Sequence, residues 1–217
     1  MKNFLYKEFK LCLAPVNYLF MAFSSMIIIP NYPSYVPFFY FALSIFFIFN
    51  NSELNKDIAY SMILPITKKQ IVKSRCILVC TYEVLGILFT IPFAFLHKKL
   101  GNNEAGIDAN IAFYGLVMLP LTLFNFIFFS KYYKKAEKPG LPFLFSSIAF
   151  WFTYALLEAP FWILPITKNE VILRLDSLNA PDLIFQLPVL AAGIVIFILG
   201  WILTYKVSSR NFEKVDV

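Results

Sequence analysis

Six long apolar runs divide this chain, near residues 14–31, 34–50, 76–96, 110–130, 141–164 and 183–205. A hydrocarbon core of ~30 Å takes about 20 apolar residues in helix to cross. The runs are solidly apolar and do not alternate in period two, so a membrane barrel is excluded. Hydrophobic residues make up 59% of the 217 and charged residues 15%. Ordinary soluble domains sit near ~45–50% and ~25%. A soluble fold of this size still exposes about a quarter to a third of its unfolded-chain surface and cannot hide that much apolar side chain. The fold class is therefore all-α: a polytopic membrane protein of six transmembrane helices in a single domain over 1–217. Only Asn31-Tyr32-Pro33-Ser34 separates the first two runs, with Pro30, Pro33 and Pro37 to break a continuous helix.

Lysine and arginine set the expected orientation. Residues 1–13, 51–75, 131–140 and 206–217 hold fifteen of the 19: Lys2, Lys7, Lys10, Lys56, Lys68, Lys69, Lys73, Arg75, Lys131, Lys134, Lys135, Lys138, Lys206, Arg210 and Lys214. Lys98, Lys99, Lys168 and Arg174 make up the other set. Both termini are expected in the cytoplasm, with 206–217 a cytoplasmic tail. The net charge of +6 is a topology signal, and no basic stretch is long enough for a nucleic-acid arm. Residues 1–13 do not read as a signal peptide, because Lys7, Glu8 and Lys10 interrupt any apolar core. Leu5, Phe9, Cys12 and Leu13 gather on one helical face, and Asn3, Lys7 and Lys10 on the other. That is an amphipathic helix in the inner headgroup plane.

Catalytic patterns are missing. A lone His97 cannot build a metalloprotease ligand set, and its place beside Lys98 and Lys99 reads as solvated. None of the seven glycines is followed by Lys, so no phosphate-cradling loop is present. Cys12, Cys76 and Cys80 read as packing residues. Two carboxylates fall inside apolar runs. Glu83 is expected ~10 Å inside the cytoplasmic boundary and Glu158 ~9 Å inside the outer one. A charge at mid-bilayer costs about 2.5–3.5 kcal/mol on insertion scales, so each should face a bundle interior or a wet cavity. Two readings stand for both: a polar point on a substrate pathway, or a buried hydrogen bond in a helix contact.

The 51–75 loop carries the densest local signal. Thr67 can cap a helix and Gln70 can reach back, a capping box that opens a basic segment over Thr67, Lys68, Lys69, Gln70, Lys73 and Arg75. Asn51 or Ser52 could cap a second short helix over Glu53 to Tyr60. Two short charged helices between spans suit a docking surface for a cytosolic partner.

Leu64-Pro65-Ile66-Thr67-Lys68-Lys69-Gln70-Ile71-Val72, following Glu53 to Tyr60, resembles the intracellular loop of type-2 ABC exporter permeases. Phe4 to Lys10 is similar to that family's elbow helix. Gln70 departs from the acidic residue usual there. Small members of about this length include exporters of amphipathic phenol-soluble modulin peptides. The resemblance implies a coupling helix at Thr67–Arg75 docked on a cytosolic ABC ATPase, in two copies. ATP and Mg would sit in that partner, and this chain would carry no cofactor of its own and hydrolyse no ATP. It implies a second permease copy or paralogue, an amphipathic peptide or lipid-like cargo, and a bacterial plasma membrane. It also implies short helices in the segment from Glu170 to Asp182. The near-copy Leu164 to Lys168 reads as coincidence. A nontransporting membrane immunity or sensor protein is the alternative.

Overall fold

The computed structural model describes residues 2–99, 103, 105–136, 138–163 and 168–215. Among these there is no strand. Helix α1 spans Lys2–Cys12, and α2 spans Pro15–Ala22 and tightens into a 3-10 segment over Phe23–Ile28. Then come α3 (Val36–Leu54), α4 (Asp57–Ile63), α5 (Lys68–His97), α6 (Ile111–Tyr132), α7 (Gly140–Trp162), α8 (Glu170–Asp176) and α9 (Ala180–Glu213). Helices α5, α6, α7 and α9 are long and apolar enough to cross a membrane.

The first run departs from expectation. Pro15 starts α2, and the Ser24 hydroxyl bonds back to the Met21 carbonyl where the helix tightens. At 1.5 and 2.0 Å per residue the combined segment rises only ~24 Å, short of a ~30 Å core. It stays helical through buried polar contacts. The Asn17 amide donates to the Ser44 carbonyl (2.9 Å) and hydroxyl (2.7 Å), and the Tyr82 hydroxyl donates to the Asn17 carbonyl (2.8 Å). These bonds tie α2, α3 and α5 together where water cannot serve.

The core is aromatic around α3 and small-residue between α6 and α9. Phe49 meets Phe128, Phe129 and Tyr132 edge-on, with centroids 4.7 to 5.0 Å away. A Cβ on Gly115 would meet the backbone of Val189 and Leu190, and one on Gly193 would meet the Gly115 backbone. The α6 and α9 backbones touch there. Between membrane helices this close approach supplies dispersion that lipid would otherwise provide.

The 51–75 segment also differs from expectation. Asn51 and Ser52 do not start a second helix, because α3 continues through them to Leu54. Lys56, at φ 49°, turns the chain into α4 over Asp57–Ile63, which starts four residues later than expected. The Thr67-capped segment is not a separate short helix but the first two turns of the 30-residue α5. On the other side, α8 fits the expected short helix and is capped by Asn169, whose side chain accepts from the Val171 amide (2.9 Å). Leu164 to Thr167 of the near-copy lie outside the described residues.

Helix α1, the start of α5, the end of α9 and the α6–α7 turn share one face of the bundle, called the basic face below. The α5–α6 connection, the end of α7 and α8 form the far face. The stretch at 206–215 is docked helix more than free tail. The Asn211 amide donates to the Ser130 carbonyl (2.9 Å), Lys69 pairs with Glu213 (3.0 Å), and Lys68 donates to the Val215 carbonyl (2.5 Å).

Candidate functional site at the basic face

The capping box forms as its spacing predicts. The Thr67 hydroxyl accepts from the Gln70 amide (3.3 Å), and the Gln70 side chain accepts from the Thr67 amide (2.9 Å). Thr67, Lys69, Gln70 and Lys73 are exposed, and Lys68 is half-buried. Arg75 is not on that surface. It is 2% exposed, the largest fully buried side chain described.

Arg75 anchors a closed ionic junction. Its Nε lies 2.9 Å from Glu8 Oε2, and its Nη2 donates to Asp57 Oδ2 (2.8 Å) and the Ser52 hydroxyl (3.0 Å). The guanidinium sits 5.3 Å from the Phe49 ring centroid. Lys7 reaches Asp57 Oδ1 (2.5 Å) and the Ser61 hydroxyl (2.7 Å). Lys7 therefore turns inward, against its expected solvent-facing place on the amphipathic helix. Two cations balance two carboxylates, the condition under which buried charges are tolerated. Four elements meet here: α1, the end of α3, α4 and the start of α5.

Glu8, Cys12 and Asp57 bring metal-ligand types within 4.8 Å of one another. They do not fit a metal. Arg75 and Lys7 already neutralise both carboxylates, and burial pushes the Cys12 thiol up to about 12, so no thiolate is offered.

The junction holds α4 with one side outward. Leu54 (73% exposed), Tyr60 (56%) and Ile63 (83%) are exposed in the same 51–75 segment as the exposed Lys56, Lys69 and Lys73. Exposed apolar residues rimmed by charge mark interaction sites on protein surfaces.

The two intramembrane carboxylates are both enclosed. Glu83 of α5 takes the Asn125 amide on both oxygens (2.9 and 2.8 Å), an α5–α6 contact. Glu158 of α7 accepts the Ile107 amide (3.1 Å) from the far-face connection. Gly106 lies against that carboxylate at φ 154°, where any side chain would collide with it. Asp108 and Asp176 are close by: the Asp108 amide donates to Asp176 Oδ1 (2.8 Å). His97 is buried here, not solvated as expected, with Nε2 3.7 Å from Asp108 and Nδ1 3.3 Å from the Ile28 carbonyl. Glu8, Asp57, Asn125, Asp108 and Asp176 were not among the expected site residues. Of these, Glu8 and Asp57 carried a signal, as unpaired acids beside a basic elbow and a basic loop.

Residues 3–208 match the family of ABC-2 family transporter proteins. The chain belongs to the ABC-2 transporter family. As an ABC-2 protein it is the membrane permease component of an ABC transporter and a multi-pass membrane protein. ABC-2 permeases are membrane subunits, generally without catalysis of their own, and the family partners with an ABC ATPase. No match was found among curated proteins or among solved structures.

Proposed function

We propose that this ABC-2 permease belongs to an ATP-driven exporter and receives its partner ATPase at the basic face. The supporting observation is α4. It presents Tyr60 and Ile63 outward, next to Leu54, while its own Asp57 is locked into the Arg75 junction. An apolar patch with a cationic rim suits a cleft on a cytosolic protein. In this reading the ATPase contact includes α4 together with Thr67, Lys68, Lys69, Gln70 and Lys73, and Arg75 is a strut behind it. Helix α1 is the elbow. The short segment Pro15–Ile28, with the chain through Pro33 that follows it, and α3 are read as two further crossings, which gives six, with both termini in the cytoplasm of a bacterium. ATP and Mg are bound by two copies of the ATPase. A second permease copy or paralogue completes a conduit for an amphipathic peptide or lipid-like cargo. Glu83 and Glu158 act on that path only if it opens the contacts that now enclose them.

The test is copurification with the cognate ABC ATPase. Tyr60→Ala with Ile63→Asp should abolish copurification while the purified permease keeps its melting temperature. Lys69→Glu with Lys73→Glu should weaken it. Full copurification and stimulated ATP hydrolysis by the first variant would overturn the docking assignment.

A further inference from the structure

A cavity of about 400 Å³ opens on the side of the bundle, between the far-face halves of α5, α6 and α9. Ile87 and Ile91 of α5, Met118 of α6 and Leu183 and Leu190 of α9 wall it. Leu88 and Phe95 also line it and are more than half exposed, so it communicates with the surroundings of α5. In a membrane those surroundings are acyl chains. The one charged residue in its lining is Lys98, exposed at the far-face end. Its ammonium donates to the Leu178 carbonyl (2.5 Å). An ammonium has three donors, so two remain for an incoming acceptor.

We propose that this cavity is a binding site for one anionic phospholipid, with an acyl chain in the apolar part and the phosphate on Lys98. Three observations carry the assignment. From Lys98 down to Ile87 the helix rises about 16 Å, close to half of a ~30 Å hydrocarbon core, which is the depth of one leaflet. The cation stands only at the interfacial end, as in a lipid. An amphipathic peptide is the wrong shape, since a helix with side chains is ~10–12 Å across and the cavity would take only a few residues of one. Acyl chains gain little by leaving hydrocarbon for a hydrocarbon-like pocket. Selectivity therefore comes from the headgroup, and Lys98 makes it anionic. The proposal needs only insertion in a membrane and is independent of transport.

The experiment uses the full permease in vesicles of phosphatidylcholine doped with phosphatidylglycerol or phosphatidylcholine carrying a tail diazirine. Photolysis should label peptides around Ile87–Phe95 and Met118. The anionic probe should be preferred roughly fivefold, as one lysine near a membrane surface provides. Lys98→Arg should keep the preference, and Lys98→Gln should lose it while tail labelling persists. Ala94→Trp, which fills the cavity, should remove the label from Met118 with the melting temperature maintained. Labelling spread evenly over the outward sides of α7 and α9 would overturn the proposal. So would equal labelling by the two headgroups, or loss of the label when a cationic amphipathic peptide is added.

Discussion

Arg75 Nε and Glu8 Oε2 lie 2.9 Å apart, with the arginine 2% and the glutamate 0% exposed. The contact joins the first helix to the fifth across 67 residues of sequence and closes the basic face. Removing one partner of such a pair leaves the other charge buried and unpaired. Arg75→Met should destabilise the permease by about 3–5 kcal/mol. Adding Glu8→Gln should recover part of the loss. Thermal unfolding of the two variants in detergent checks this, and a melting temperature for Arg75→Met equal to wild type would refute the junction.

The α6–α9 contact predicts a steep steric penalty. Gly193→Ala places a methyl on the Gly115 backbone, which cannot rotate away. A loss of about 1–3 kcal/mol is expected for overpacking of this kind. Gly140→Ala is the control, because nothing lies within 4 Å of a Cβ there. Parallel melts of the two alanine variants decide the matter, and equal stability would mean the helices do not approach so closely.

The far face should loosen as pH rises. Burial pushes the Asp176 carboxyl up from 3.8 to about 6, against the lowering effect of its bond from the Asp108 amide and with further help from the Asp108 charge. Asp108 is raised as well, again by burial first. The fold favours the protonated acid, so its stabilisation is complete below about pH 4 and is lost as pH rises through about 6. Exchange at the Ile107 and Asp108 amides, corrected for intrinsic rates, should therefore increase between pH 4 and 7. Asp176→Asn keeps the acceptor oxygen and should flatten that profile. An unchanged slope in the variant would assign the effect to Asp108 instead.

Membrane orientation can be read by thiol labelling of intact cells. The native thiols give little background: Cys12 and Cys76 are buried and Cys80 is half-buried. A cysteine at Asn179, exposed on the far face, should react with an impermeant maleimide, and one at Lys135, exposed on the basic face, should not. Labelling at Lys135→Cys alone would invert the orientation.

Much of this was legible in the apolar runs: α5, α6, α7 and α9 answer four of the six expected spans, with the start of α5 and the end of α9 each running eight residues beyond the run. The first run forms a shorter helix than expected for a physical reason. Hydropathy counts apolar residues but not helical rise, and Pro15 with the 3-10 turn shortens the segment. The capping box was legible because its two bonds run between residues three apart in sequence. Where their helix ended was not, since a strong start says nothing of length. Arg75 was misread as surface because it sits in a charged loop sequence. Yet it falls four residues after Ile71, three before Leu78 and seven before Tyr82, all on the buried stripe of α5. Helical register was the better guide there than local charge. His97 and the two aspartates came together through loops whose closure no periodicity encodes.

Helix α5 runs from Lys68 at one face of the bundle to His97 at the other, with Pro92 inside its last two turns. Thirty residues make a rod of about 45 Å. A rod of that length acts as a lever: pivoting by about 5° at its centre would carry each tip roughly 2 Å in opposite directions. One tip is gripped beside Arg75, and the other ends at His97 against Asp108. If the ATPase engages α4 as proposed, a push there would reach the far face through one helix rather than through a loop.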